Sequence, residues 1–260
     1  MTPKRLNGSL AVASVRRSVE PAPLNAFGLR VGVYADGAVL SEMLAEYDRG
    51  RVQGFTTNPT LMAKAGVRDY ERFARQVLAA IRDLPISFEV FADDFPTMAE
   101  QARRLSSWGQ NVYVKIPIMN TRRMSSLPLI RDLTREGIKL NVTAVMTLEQ
   151  VCAVVDAIPA GAPAIISIFA GRVADTGRDP VPIMRESAAV VRRRAELKIL
   201  WASPREVLNV YQAEACGCHV ITVTPDLLAK LALRNKDLDE FSRETVQMFY
   251  DDATRAGFTL

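Results

Sequence analysis

Histidine is almost absent from this chain: His219 is the only one in 260 residues. A His-rich metal site is thereby excluded, and a histidine-dependent triad would have only His219 to use. That residue opens an apolar run and reads as a packed or strand-end side chain. Cysteine is scarce as well. Cys152, Cys216 and Cys218 are odd in number and lack metal-type spacing, which argues against a disulfide framework and against a zinc site. Cys216-Gly217-Cys218 flanks a predicted helix end and reads as structural. No apolar run approaches the roughly 20 residues needed to cross a bilayer, so no membrane association is expected. No stretch rich in Gly, Pro or Ser divides the chain. No G-x-G-x-x-G follows the first predicted strand, which ends Ala35-Asp36-Gly37. The usual sign of an open dinucleotide-binding sheet is therefore missing.

An excess of one charge is also missing from the body of the chain. The formal net charge is +4, of which +3 lies in residues 1–29 through Lys4, Arg5, Arg16, Arg17 and Glu20. The body lacks the basic surface of a nucleic-acid binder. Residues 1–29 have weak periodicity and read as a flexible extension or docking arm; the apolar core and cleavage site of a secretory signal are not evident there. Residues 30–260 are expected to form the folded domain, in a cytoplasmic protein.

What is present is a large apolar fraction, 48%, patterned in short runs. Eight strand candidates stand out: Val31–Ala35, Gly54–Thr56, Ile86–Phe91, Val112–Ile116, Ile138–Val142, Ala164–Phe169, Ile199–Ala202 and Val220–Val223. Helical periodicity fills the intervals at Ala38–Tyr47, Tyr70–Ile81, Thr97–Trp108, Ser125–Glu136, Leu148–Ala157, Val181–Ala195, Arg205–Ala215 and Leu227–Leu233. A further amphipathic stretch covers Leu238–Ala256. Eight alternations of strand and helix predict a single (β/α)8 barrel of the α/β class with an additional C-terminal helix. A doubly wound open sheet is the alternative.

One residue disturbs the apolar pattern. Lys115 sits within Val112-Tyr113-Val114-Lys115-Ile116-Pro117-Ile118. Lysine is rarely buried without a partner or a purpose. Desolvation disfavours the charged ammonium, and a neutral amine can condense with a carbonyl to form a Schiff base. Taken alone, a strand-end lysine that snorkels or pairs with a carboxylate is the simpler reading. Barrel geometry adds weight to the other one, because the C-terminal ends of the strands converge on one face. At those ends lie Asp36, Thr56, Thr57, Asn58, Glu89, Lys115, Asn141, Thr143, Ser167, Arg172, Ser203 and Arg205. Each has a simpler explanation, such as helix capping for Asp36 and Asn58 or ion pairing for Glu89. Together they would set an amine, carboxylates, amides, hydroxyls and guanidiniums around one mouth.

From Val31 to Leu260 the chain resembles the transaldolase family of class I, Schiff-base-forming aldolases. Gly54-Phe55-Thr56-Thr57-Asn58-Pro59-Thr60-Leu61 is similar to the family's G-x-T-T-N-P-[ST]-L segment. Val114-Lys115-Ile116-Pro117 resembles its Schiff-base strand, Leu140-Asn141-Val142-Thr143 its N-x-T strand, and Ser167-Ile168-Phe169-Ala170-Gly171-Arg172 its S-P-F-V-G-R segment. Asp175-Thr176-Gly177-Arg178-Asp179-Pro180 resembles D-x-G-x-D-P, and Ala202-Ser203-Pro204-Arg205 resembles A-S-F-R. The resemblance implies a mechanism without cofactor or metal. Lys115 would attack the C2 carbonyl of a phosphorylated ketose, and Asp36 would take the C4 hydroxyl proton as the C3–C4 bond breaks. Glu89 and Thr143 would hold a proton-relaying water. Thr56, Asn58, Asn141, Ser167 and Phe169 would line the site of the bound three-carbon unit. Arg172, Ser203 and Arg205 would hold the phosphate of an aldose phosphate acceptor, a task suited to the planar guanidinium fork.

Phe169 and Glu89 resemble transaldolases, where the related fructose-6-phosphate aldolases have Tyr and Gln. Ile168, Pro204 and the Ile118-Met119-Asn120-Thr121-Arg122-Arg123 segment depart from the family pattern, which leaves the natural acceptor and pathway open. A homo-oligomer is likewise left open. The competing expectations are an aldolase releasing free dihydroxyacetone, a transaldolase of unusual-sugar biosynthesis and a non-catalytic sugar-phosphate binder.

Overall fold

The computed structural model describes residues 24–259. Residues 1–23 of the expected extension lie outside the described residues. Residues 24–31 lead into the first strand. The Asn25 side-chain amide donates to the Val31 carbonyl at 2.9 Å and its oxygen accepts the Phe27 and Leu29 N–H groups. The Glu214 carboxylate accepts the Arg30 and Val31 N–H groups.

Every strand is followed by at least one helix: β1 (Gly32–Asp36), α1 (Leu40–Asp48), β2 (Gly54–Thr56), α2 (Pro59–Lys64), α3 (Tyr70–Ala80), β3 (Ile86–Glu89), α4 (Phe95–Ser106), β4 (Val112–Pro117), α5 (Leu127–Arg135), β5 (Leu140–Val145), α6 (Leu148–Ala157), β6 (Ala164–Ile168), α7 (Ala170–Ala174), α8 (Val181–Val191), β7 (Leu197–Trp201), α9 (Leu208–Cys216), β8 (Val220–Val223), α10 (Pro225–Lys230) and α11 (Leu238–Ala256). A 3-10 turn, Leu231–Leu233, follows α10. The eight strands are parallel and close in sequence order, with β1 returning to β8 through Gly32↔Val220 to Ala35↔Val223. This is a (β/α)8 barrel with one helix added after the eighth unit.

The strands form where β-branched and aromatic residues run together, because both faces are covered in such a barrel. Outward side chains such as Val114, Ile116, Val142, Ile166 and Ile199 are fully buried against the helix layer. Each contributes roughly 1.5–3 kcal/mol relative to exposure. The helices supply matching stripes: Phe73, Ala74, Val77 and Leu78 on α3, and Ile130 and Leu133 on α5. Gly54 is required by packing. A Cβ there would lie 2.6 Å from the ring of Tyr34, its register partner across β1 and β2.

Two differences from the sequence reading have local causes. The fifth strand begins at Leu140 rather than Ile138, because Gly137 (φ +81°) closes α5 and turns the chain. It then runs on to Val145 through a bulge, with Ala144 at φ +58°. The short helices α2 and α7 were not anticipated. Each lies in a βα loop at the barrel mouth and spans too few residues to show periodicity.

Candidate active site

The barrel register sets the site. Glu89 pairs with Lys115 across β3 and β4, and Lys115 with Asn141 across β4 and β5. Asp36 pairs with Thr56 across β1 and β2. Side chains alternate along a strand, so this level of the barrel presents its polar residues inward together. They line a cavity of about 360 Å³ at the C-terminal end of the strands. Ten of the twelve residues to which the family resemblance gives a role line it: Lys115, Asp36, Glu89, Thr56, Asn58, Asn141, Ser167, Phe169, Arg172 and Ser203.

Lys115 is only 7% exposed. Its Nζ donates to the Thr57 carbonyl at 2.8 Å and stands 3.1 Å from Oε2 of Glu89. The simpler reading, a lysine paired to a carboxylate, is therefore seen, and the pair lies inside the cavity. Taking two charges out of water costs more than most exposed pairs return. A pair in the wall of a cavity is thus weak evidence for stability and a better pointer to function.

Asp36 faces the same cavity from β1. Burial holds its carboxyl above the ordinary aspartate range; the charge of Lys115 and a hydrogen bond from Thr56 act against that rise, and Glu89 adds to it. Thr56 Oγ1 donates to Asp36 Oδ1 at 2.8 Å. Burial thus drives Asp36 toward its protonated form, and the charge of Lys115 draws it back.

A second network orients the amide. Ser167 Oγ donates to Asn141 Oδ1 at 2.7 Å, and Asn141 Nδ2 donates to Ser87 Oγ at 3.1 Å. The Thr57 hydroxyl donates to the Ser87 carbonyl at 3.0 Å. Asn58 caps α2, its Oδ1 accepting the Leu61 N–H at 2.9 Å, so the capping role weighed from sequence is present. Its amide nitrogen is the part left to address a ligand.

Arg172 and Ser203 approach each other through a tight backbone crossing. A Cβ on Gly171 would come within 1.5 Å of the Ser203 carbonyl oxygen, and Ser203 itself has φ +57°. Only glycine fits at position 171. The Arg172 guanidinium lies 5.9 Å from the Phe169 ring centre.

Two expected residues stand apart from the cavity. Thr143 is buried, two residues beyond Asn141 on β5 and just before the bulge at Ala144, but it does not line the cavity. Arg205 is held by Asp175 through two hydrogen bonds, one of 2.9 Å from Nε, and its side chain is about half exposed.

The structure adds residues that the sequence did not single out. Thr222 on β8 lines the cavity and hydrogen-bonds Thr56. Ser87 is buried beneath Asn141. Tyr70 on α3 clamps Glu89: its hydroxyl accepts the Glu89 N–H at 2.9 Å and donates to the Glu89 carbonyl at 3.1 Å. A tyrosine opening a helix, a serine in a strand and a threonine in a strand carry no distinguishing signal in sequence. Among the described residues no group of three or more His, Cys, Asp or Glu is placed to hold a metal ion. Among the described residues no helix is long and apolar enough to cross a membrane.

A family model described as Transaldolase/Fructose-6-phosphate aldolase matches residues 33–260. A protein of Dehalococcoides mccartyi named "Probable transaldolase" is 33% identical over 200 residues, covering 76% of this chain and 89% of that protein. "Probable transaldolase 2" of Listeria monocytogenes is 34% identical over 215 residues, covering 81% and 94%. A "Probable transaldolase" of Thermoplasma volcanium is 33% identical over 211 residues, covering 80% and 90%.

Proposed function

Because the chain belongs to the transaldolase/fructose-6-phosphate aldolase family, we propose that it transfers a dihydroxyacetone unit from a ketose phosphate to an aldose phosphate through a Schiff base on Lys115. The observation that carries this reading is the placement of Lys115 Nζ, almost fully buried in a cavity wall and 3.1 Å from the Glu89 carboxylate.

The unprotonated amine adds to the C2 carbonyl of the ketose, and loss of water leaves a protonated imine. Glu89 is the nearest carboxylate to take the proton that the ammonium must lose first. Thr143 completes the relay by analogy with the family. Asp36 then accepts the C4 hydroxyl proton. The electron pair of the C3–C4 bond flows into the imine, an aldose phosphate departs, and an enamine of three carbons stays on Lys115. The enamine carbon attacks the aldehyde of the acceptor, Asp36 returns its proton to the new hydroxyl, and water releases the new ketose phosphate. Asn141, Ser167, Asn58 and Thr56 hold the hydroxyls of the three-carbon unit. Arg172, with Ser203 beside it, takes the phosphate; Arg205 joins them once it leaves Asp175.

Phe169 favours transfer over release. It lines the cavity without a hydroxyl to protonate the enamine, so the intermediate waits for an aldehyde. Incubation with fructose 6-phosphate, with and without an aldose phosphate acceptor, tests the reading. Turnover that requires the acceptor is expected. Rapid release of free dihydroxyacetone without acceptor would make the protein an aldolase of the same family, and no reaction with any acceptor would contradict the transfer reading.

A further inference from the structure

Thr222 has a cavity-facing hydroxyl with a defined partner and no part in the mechanism above. It is buried on β8, abreast of Tyr34 of β1, and its Oγ1 meets Oγ1 of Thr56, which in turn donates to Asp36. We propose that Thr222 is a positioning residue for Asp36: its hydroxyl donates to Thr56 and so fixes the single Thr56 proton on the carboxylate.

The direction of the chain follows from counting protons. A hydroxyl has one proton and two lone pairs. An ionised carboxylate only accepts, so Thr56 must give its proton to Asp36 Oδ1. Thr56 then has only lone pairs to offer Thr222, and the Thr222 proton must point toward Thr56. Were the order reversed, a Thr56 lone pair would face the carboxylate. Hydrogen bonds in series polarise one another, so the outer donor strengthens the inner bond. The carboxylate form of Asp36 on β1 is thus supported by both of its neighbouring strands, β2 through Thr56 and β8 through Thr222.

The need for such support is visible in the surroundings. On the cavity side Asp36 meets Lys115 and Glu89, with Arg172 on the same cavity wall. On its other side lies a second cavity of about 340 Å³, which Asp36 shares with Glu42 and Glu46 of α1 and with Arg49 just after it. The carboxylate that acts on Asp36 is Glu89 of β3, since Glu46 is paired with Arg49 and Arg51. The hydroxyl chain from β8 offsets part of that repulsion without adding a charge.

The inference rests on the proposed role of Asp36 only for its effect on rate, and the test has a second arm that does not. Wild type, Thr222→Val and Thr222→Ser are compared, each with and without Asp36→Asn. Val keeps the shape and removes the hydroxyl, Ser keeps the hydroxyl, and Thr222→Ala replaces Val if that variant folds poorly. In the first arm Tm is followed with pH. Loss of the donor should raise the Asp36 pKa further. Thr222→Val should then lose more Tm than wild type as pH rises above about 4, and this difference should vanish in the Asp36→Asn background. In the second arm the acid limb of kcat/KM should move upward by about half a pH unit, roughly 3-fold in the ionised fraction, with KM unchanged and Ser restoring the profile. Parallel Tm curves in both backgrounds, or an unmoved acid limb, would overturn the proposal. Full activity in Asp36→Asn alone would instead remove the reading of Asp36, while the Tm arm still decides the coupling to Thr222.

Discussion

Inside the barrel, two layers lie only two residues apart on the same strands. The lower one is apolar and aromatic: Tyr34, Tyr113, Ile165 and Val220 pack together with Leu200. The upper one is polar: Asp36, Lys115, Ser167 and Thr222 line the cavity. Tyr34 precedes Asp36 by one inward step, Tyr113 precedes Lys115, Ile165 precedes Ser167 and Val220 precedes Thr222. The difference teaches where stability and chemistry are separated. The lower layer plugs the barrel and removes water from beneath the upper one. That desolvation makes Asp36 above it costly to charge.

Substitutions in the two layers should therefore have opposite consequences. The largest effect is expected for Asp36→Asn. Transfer between sugar phosphates should fall by about 10²–10⁴-fold, the range for losing a general base. The same change should raise Tm at neutral pH. The native Asp36 pKa is raised by burial, so the folded chain holds this proton to higher pH than the unfolded chain. Stability from this group is greatest below the ordinary value of about 3.9 and declines as pH rises toward the native value. Asparagine removes that decline. A Tm below wild type at neutral pH would break the comparison.

The reverse is expected one step down. Ile165→Ala should cost about 2–5 kcal/mol in denaturant unfolding, as core truncations do. Ser167→Ala, in the layer above, should cost less in stability and more in activity. Equal stability losses would show that the layers are not divided in this way.

Tyr70 sharpens the comparison from outside the barrel. Tyr70→Phe keeps the ring packed on Phe91 and Phe88 but removes both hydrogen bonds to the Glu89 backbone. A loss of about 1–3 kcal/mol is expected, together with a fall in kcat that exceeds any change in KM. Stability loss with unchanged kcat would make Tyr70 purely structural.

The smallest effect lies at the other end of the barrel. His219 Nδ1 accepts the Ile199 N–H at 3.1 Å. Burial, with the nearby Lys198 charge, lowers its pKa. The bond is present with the neutral ring; stability begins to fall slightly as pH drops below the ordinary value of about 6.5, and the bond itself is lost only when the native ring protonates at lower pH. As the sole histidine it gives one imidazole signal by proton NMR. A midpoint below 6.5 is expected, and one above it would contradict the packing described.

The sequence carried the barrel clearly because its strands are short apolar runs between long amphipathic segments, as at Val112–Ile116 and Leu148–Ala157. It also carried most of the cavity, since a buried lysine and polar strand ends break an apolar pattern. What it concealed follows from physics that spacing does not record. Thr222 and Ser87 look like ordinary strand residues, and only closure of the barrel brings them to Thr56 and Asn141. The hold of Asp175 on Arg205 joins two loops 30 positions apart. The bulge at Ala144 changes which way the end of β5 turns, and no residue type there announces it. The short helices α2 and α7 complete the mouth without enough turns to display a face.

The central claim is that Lys115 forms the covalent bond to the ketose. Borohydride reduction during incubation with fructose 6-phosphate, followed by peptide mapping, tests it most directly. The expected result is a three-carbon mass increment on the peptide containing Lys115, absent in Lys115→Ala. An increment on another lysine, or none with any ketose phosphate tried, would contradict the account.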